Sequence, residues 1–513
     1  MTFIIGDGNP LTIASILAVA RHGDTMEFSA SVEDGIQDSF TFLYQRIDAG
    51  EQIYGVTTGL GAGVDTSVLT TTDGQCDPSR LHQIQQRIPL ARAVGVGQLA
   101  SREQVRAMMA ARLAGIAEGC SGISLPTAQA LLALLNQGIH PLVPLIGSIG
   151  EADLAPLAHI GQVLAGNGEA EYQGERYSMA ALSEKIDFRL PTLTGKDGLA
   201  LVSSNAASVG MAALVLADVA QLINAQSGAI ALSFEAFRAN ISPLSPWVSR
   251  IRAVPGSAET TAHLLGLLEE GALCQPEGAR QLQDPLSFRC AASVLASVRQ
   301  AFIAARQATE LELNSADDNP ALLPEANLVL ANANFDGTHL ALSFESLGLA
   351  LARQASCTAE RIMKLMSGSA SGLPRFLTPH VGQTGFATLQ KTISALTSDI
   401  VHHANPMSAI TVPVADRVED YASQAMAVVT KTSRLVDSLR YLVAIELLVA
   451  AQAVDLRGEI TLGRGSTVIH QRIRNLVAPL DEDRSSAADI QRLAEATASP
   501  DWLTAGERLL EIG

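Results

Sequence analysis

Residue types that do chemistry are most concentrated in Gly147-Ser-Ile-Gly-Glu-Ala-Asp-Leu-Ala-Pro-Leu-Ala-His159, a glycine-rich turn running into an apolar segment. Taken bare, the stretch is a helix start, with Asp153 as the N-cap and Pro156 in the first turn, where a missing N–H costs little. A capped helix and nothing more is one reading, and the segment does not by itself choose between structure and chemistry. A second glycine cluster, Thr57-Thr-Gly-Leu-Gly-Ala-Gly63, lies just after Tyr54. The five cysteines (Cys76, Cys120, Cys274, Cys290, Cys357) are widely spaced, with no CxxC pair and no histidine at metal-ligand spacing. They are expected to be reduced core residues of a cytoplasmic protein, and no metal site is expected.

The elements that must position such groups follow from composition and periodicity. Of 513 residues 47% are hydrophobic but only 4% aromatic, and an apolar mass of Ala, Leu, Val and Ile suits closely packed helices. The fold class is therefore mainly α: a long-helix bundle core with an irregular, site-bearing N-terminal region. Three regions are expected: a loop-rich one over 1–195 carrying Tyr54 and the Gly147–His159 segment, a central bundle over 196–475, and peripheral C-terminal helices over 476–513, where charge is denser (Asp481 to Arg484, Glu507, Arg508). Leu286 to Asn319 and Val414 to Arg457 contain no Gly or Pro, and such runs permit helices of about 50 Å at about 1.5 Å per residue. Phe344, Leu347, Leu351, Ala355, Ala359, Ile362, Met363 and Met366 recur at helical spacing, while Glu345, Arg353, Glu360 and Arg361 take other positions; one buried stripe is expected.

A net charge of −17 sets nucleic acid aside as a partner. Leu199 to Phe234 has Asp218 as its only charge and is long enough to suggest a membrane span. Ser203, Ser204, Asn205, Gln221, Asn224 and Gln226 interrupt it, each at a cost in lipid, so a buried bundle helix is expected instead. No secretory signal is visible at the N-terminus and no internal repeat is found.

The Gly147–His159 segment resembles the signature of the histidine and phenylalanine ammonia-lyase family: Gly-Ser-Val-Gly, then Ala-Ser-Gly, then Asp-Leu-Ala-Pro-Leu-Ala-His. Further matches fall in the family's order. They are Ile53-Tyr-Gly-Val-Thr-Thr-Gly-Leu-Gly61, Lys196-Asp-Gly-Leu-Ala-Leu-Val202, Gln283-Asp-Pro-Leu-Ser-Phe-Arg-Cys290, Asn314-Ser-Ala-Asp-Asp-Asn-Pro320, Asn334-Phe335 and Val412-Pro-Val-Ala-Asp-Arg-Val-Glu-Asp420. The resemblance implies the family's helical fold and a homotetramer whose sites are built from several subunits, so that Tyr54 and Glu419 of one site belong to different chains.

In that family Ala-Ser-Gly cyclises to a methylidene-imidazolone, an electrophile that captures the substrate and releases its amine. Cyclisation needs a serine to lose water and a following glycine whose amide closes the ring unhindered. Here Glu151 and Ala152 stand in place of the three residues, so no methylidene-imidazolone and no other cofactor is expected. Ser148 precedes the β-branched Ile149, which obstructs closure, and Cys120-Ser-Gly122 and Ala370-Ser-Gly372 resemble other parts of the family.

Departures are concentrated in the amine-elimination parts: Ser203 in place of a catalytic-site asparagine, Leu286 in place of a tyrosine, and Arg92 in place of a selectivity histidine. Tyr54, Gln283, Arg289, Phe335 and Glu419 are kept. The resemblance makes Tyr54 the proton-abstracting group, which needs neighbouring cations or dipoles because a phenol titrates near 10; a tyrosine packed under a glycine-rich loop is the plainer alternative. Arg289 would hold a substrate carboxylate or make a structural ion pair. Arg92, if not a surface residue, adds a second guanidinium to the pocket and favours a doubly anionic substrate. Glu151 would be either an inert anion over converging helix N-termini or an acid–base group opposite Tyr54. Glu419 is either a site residue or a first-turn helix carboxylate. Three functions remain open: a lyase or isomerase abstracting a proton from a small carboxylate substrate, a silent ligand-binding or regulatory homologue, and an amino-acid ammonia-lyase working by another route.

Overall fold

Two long apolar segments must bury every face they have, and the architecture follows from that. The computed structural model describes residues 1–64, 67–68, 78–409, 412–504 and 508–511; Cys76 and Glu507 lie outside them. The helices Ala206–Phe237 and Ala425–Arg457 pack against each other through the middle of the molecule. Each is apolar around most of its circumference, as a helix enclosed by others must be. Thr338–Leu365 and Leu389–Ala404 cover one side of Ala425–Arg457, while Ala291–Leu313 and Arg102–Ala117 cover Ala206–Phe237. The main apolar core runs from Ile5 to Leu510, with a smaller cluster of Phe42, Leu43, Ile53 and Val56 beneath Tyr54's segment.

The apolar window expected to be a bundle helix is one: 89% of it is buried within the chain. Strands among the described residues are short and pin loops of the N-terminal part, as where Val96–Leu99 pairs antiparallel with Pro144–Ile146 just before the glycine turn.

Some expectations need correcting. Freedom from Gly and Pro over Val414–Arg457 does not make one helix, because the helix begins only at Ala425. Ala415, Asp416, Arg417 and Gln424 adopt positive φ, so the segment before it is an irregular loop. The Phe344 stripe is buried apart from the half-buried Ala359 and Met363, but Glu345 and Arg361 are buried with it, each facing an opposite charge. Lys431 pairs with Glu345 at 2.5 Å. The described cysteines are free thiols outside the core: Cys274 is exposed, and Cys120, Cys290 and Cys357 are half-buried.

Arg361 and Glu446 form the polar centre of the bundle, both fully buried. Arg361 Nε donates to Glu446 Oε1 at 2.6 Å and Nη2 to Oε2 at 3.0 Å, while Gln226 and Ser233 donate to the same carboxylate. The helices starting at Ala206, Thr338 and Ala425 are thus tied at one point. Removing one partner leaves the other charged in a dry interior. Arg361→Leu is expected to cost about 3 to 5 kcal/mol, read as a lowered denaturant midpoint; a midpoint equal to the parent's would contradict this account.

Candidate active site

A helix begins with N–H groups that have no partner of their own, and several helix N-termini meet at residues 148–153. Asp153 is the N-cap of Leu154–Leu164, but its carboxylate does not cap that helix. It reaches the head of Ala206–Phe237 instead, accepting from Ser208 N at 2.6 Å and Ser208 Oγ at 2.8 Å, with Ser148 Oγ at 2.6 Å. Asp153 N donates to Ser204 O at 2.7 Å and Ala152 N to Phe335 O at 3.4 Å, while Gln424 N donates to Ile149 O at 2.8 Å. Gly150 has φ +79, and a Cβ there would lie 2.4 Å from both Ala425 N and Ser423 Oγ. Only glycine allows the Ala425 helix to approach this closely.

The turn forms one wall of a cavity of about 810 Å³ lined by Tyr54, Arg92, Glu151, Ser203, Phe335 and Glu419. These residues come from segments far apart in sequence, and the fold of one chain brings them together, so that Tyr54 and Glu419, expected from different chains, line one cavity of the same chain. Gln283 and Arg289 do not line it. They are exposed on the single chain beside Leu282 and Leu286, which are 86% and 65% exposed. Arg289 makes no ion pair among the described residues.

Tyr54 is half-buried, and its hydroxyl oxygen accepts from Gly61 N at 2.9 Å, so the glycine loop supplies the backbone dipole that a phenolate needs. Arg92 ends the helix Pro78–Arg92 and is no surface arginine. Burial pulls its pKa down, and charge on Tyr54 and Glu419 opposes the shift. It forms no ion pair among the described residues. Glu419 is not in a helix first turn; it sits in the loop before Ala425, bridged to Val414. Ser203 is buried and closes the short helix Asp197–Val202.

Glu151 is the most perturbed group lining the cavity. Its Oε1 accepts from Ser423 N at 2.9 Å, the one backbone donor it receives among the described residues. Burial and the neighbouring Asp336 carboxylate outweigh that donor and push it up to about 7. The donor that Glu151 receives comes from the segment before the Ala425 helix, while the head of the Thr338 helix is served by Asp336, whose Oδ1 accepts from Thr338 N at 3.0 Å.

Sequence reasoning missed Asp336 and Tyr421. Glu151 and Asp336 face each other across an isolated antiparallel bridge. The Tyr421 hydroxyl lies 2.5 Å from Thr338 Oγ1, which donates to Asp336 Oδ1 at 2.6 Å, and Tyr421 lines the cavity. Their only sequence signal was adjacency to Phe335 and to Asp420. Among the described residues no cluster of His, Cys, Asp and Glu is arranged to hold a metal ion.

A family-wide sequence profile described as aromatic amino acid lyase matches residues 11–475. The chain belongs to the aromatic amino acid lyase family. It is similar to a protein named histidine ammonia-lyase of Alkaliphilus oremlandii, 33% identical over 514 residues and covering 100% of both chains. Among solved structures of the same fold it is similar to the ergothioneine-degrading enzyme ergothionase of Treponema denticola, in complex with desmethyl-ergothioneine sulfonic acid. That likeness has a TM-score of 0.90 and 31% identity over 96% of this chain and 98% of the other. Phenylalanine aminomutase of Pantoea agglomerans superposes with a TM-score of 0.92, 28% identical over 97% and 99%. Family membership makes a lyase-type activity the coarse functional assignment.

The Glu151 pKa has a measurable sign. A carboxyl that ionises near 4.5 in the unfolded chain but about 7 when folded holds a proton in the native state that the unfolded state has released. Its stabilising contribution is complete below about 4.5 and is lost as pH rises through about 7. Glu151→Gln, neutral throughout, is expected to gain thermal stability relative to the parent between pH 5 and pH 8. A melting-temperature difference independent of pH would show that Glu151 ionises normally.

Proposed function

We propose that this protein is a lyase that works without a methylidene-imidazolone, abstracting a proton from a small amino-acid-derived carboxylate whose leaving group needs no electrophilic capture. One observation carries the reading: Glu151 and Ala152 stand where the electrophile would form. The residues there do not fit that group. No serine is available, Ala152 carries a side chain at φ +60, and the Glu151 carboxylate is hydrogen-bonded to the Ser423 amide.

A quaternary ammonium suits such a site, because it departs as a neutral tertiary amine and its C–N bond breaks without activation. Ergothioneine, a trimethylammonium betaine, carries one, and the likeness to an ergothioneine-degrading enzyme supports this choice. Tyr54, as phenolate, takes the proton from the carbon next to the one bearing nitrogen. The C–H pair becomes the new C=C bond, the C–N pair leaves with the amine, and an unsaturated carboxylate remains. In this reading Arg92 is assigned to the substrate's side chain and Phe335 and Ser203 to the wall beside it, while Glu419 stands near Gly61, whose N–H meets the Tyr54 hydroxyl. The lining holds Glu151, Glu419 and Asp420 against Arg92, a balance that favours a zwitterion over a second anionic group on the ligand.

Arg289 and Gln283 enter this reading through assembly. Their exposure beside Leu282 and Leu286 supports a homotetramer in which a neighbouring subunit brings them to the cavity, where Arg289 grips the carboxylate through its planar fork of donors. Release of ammonia from histidine is the rival outcome, supported by the names of the sequence relatives.

Incubation with ergothioneine or the trimethyl betaine of histidine is expected to release trimethylamine and raise the ultraviolet absorbance of a conjugated acid, while histidine yields no ammonia. The intact mass is expected to equal that of the unmodified sequence. Tyr54→Phe should lower kcat by about 10² to 10⁴. Ammonia release, or a mass short by the waters that cyclisation removes, would defeat the proposal.

A further inference from the structure

The proposed elimination leaves open what receives the positive charge of the substrate, and one pair of residues outside the family's expected machinery bears on it. Glu151 lines the cavity while Asp336 stands behind it, on the strand-like segment that leads into the helix Thr338–Leu365. Asp336 is held in place by Thr338, which donates through both its backbone N–H and its hydroxyl. The Tyr421 hydroxyl meets Thr338 from the opposite loop. The side of the cavity where Glu151 stands therefore combines a carboxyl with the aromatic side chains of Phe335 and Tyr421, the two kinds of group that attract a large, weakly hydrated cation. The guanidinium of Arg92 belongs to the part of the lining near Tyr54 and Glu419.

We propose that Glu151 is the specificity-determining seat for a quaternary ammonium group of the substrate, and that Asp336 is a positioning residue acting through Glu151. The inference rests on the elimination reading above and deepens it by naming the residue that selects the leaving group. A primary ammonium and a trimethylammonium carry the same charge but differ in hydration. The bulky onium gives up little water on entering a half-buried cavity, and a single carboxylate with aromatic faces satisfies it without directional hydrogen bonds. A primary ammonium has N–H donors that need several acceptors, and Glu151 already spends one oxygen on Ser423 N. The site so described discriminates for the betaine and against the free amino acid.

Asp336 acts on Glu151 through charge. The groups against Glu151 are Asp336 from the segment before Thr338 and Ser423 from the segment before Ala425; the other titratable groups that share the cavity are Tyr54, Arg92, Glu419, Asp420 and Tyr421. Asp336 and burial raise Glu151, and the Ser423 donors lower it. A cation is held by the ionised carboxylate, so affinity for the betaine rises with pH as Glu151 loses its proton. Removing the Asp336 charge moves that rise to lower pH.

Binding is measured by calorimetry in a Tyr54→Phe background, which stops turnover, with the trimethyl betaine of histidine and with imidazolepropionate, the same acid without nitrogen at the α-carbon. Glu151→Gln is expected to weaken betaine binding by about tenfold or more, equivalent to about 1.4 kcal/mol, and to leave imidazolepropionate unchanged. Asp336→Asn is expected to shift the pH profile of betaine affinity toward acid while keeping its plateau. Equal loss for both ligands, or loss for neither, overturns the seat; an unmoved pH profile overturns the role of Asp336. Should Glu151→Gln fail to fold, competition in the unmodified protein decides: tetramethylammonium chloride is expected to compete with the betaine while tert-butanol does not, and equal behaviour of the two overturns the proposal. Failure of the elimination reading looks different, because then the unmodified protein releases ammonia from histidine and no trimethylamine from the betaine. Trimethylamine release with betaine affinity unaffected by Glu151→Gln defeats only the seat.

Discussion

Closing several helix N-termini over one short turn is the constraint on which the rest of this structure depends. Each helix head brings N–H groups without intrahelical partners, and burying them unsatisfied is costly. The chain meets the demand with carboxylates placed outside the helices they serve. Asp153 reaches the Ala206 helix, Asp317 Oδ2 accepts from Asn205 N at 2.5 Å and Ser204 Oγ at 2.8 Å, and Asp336 serves the Thr338 helix. The backbone of 149–153 is fixed by bonds to Ser204, Phe335 and Gln424, all in other segments, so its conformation belongs to the bundle more than to the turn.

Gathering acids in this way has an electrostatic consequence. Where several carboxyls share a poorly solvated region, some hold their protons well above the usual carboxylate range. Burial and nearby acids push Glu312 up to about 7, and Asp317, despite Arg112, to about 6. Glu151 inherits the same environment from the cavity side. The protonation of a group lining the cavity thereby depends on burial first and then on Asp336, a residue that also serves a helix head, so a change made at Asp336 carries over to the site.

The family resemblance and the departures from it act at different levels. Long helices, the glycine turn and the Arg361–Glu446 centre are requirements of packing, and solved structures of the same fold superpose closely at 28 to 31% identity. Chemistry is carried by a few positions on that frame, and a shared fold does not dictate what those positions do. Glu151, Arg92 and Ser203 all face the same cavity although they are scattered along the chain, whereas Leu286 stands exposed outside it.

The sequence by itself determined a helical bundle, because the apolar spacing of a segment such as Phe344 to Met366 is local information, and it determined that no serine stands between Gly150 and Asp153. It also named Tyr54, Arg92, Glu151, Ser203, Phe335 and Glu419, through motifs whose order along the chain is visible without a fold. Tertiary structure alone decided where the Ala425 helix begins, since a Gly- and Pro-free run says nothing of the loop that the cavity requires before it. It alone paired Glu345 with Lys431 and Arg361 with Glu446, and set Asp336 and Tyr421 against the Glu151 turn. Those contacts join residues far apart in the chain, and the burial that shifts Glu151 upward exists only once the helix heads have closed around it.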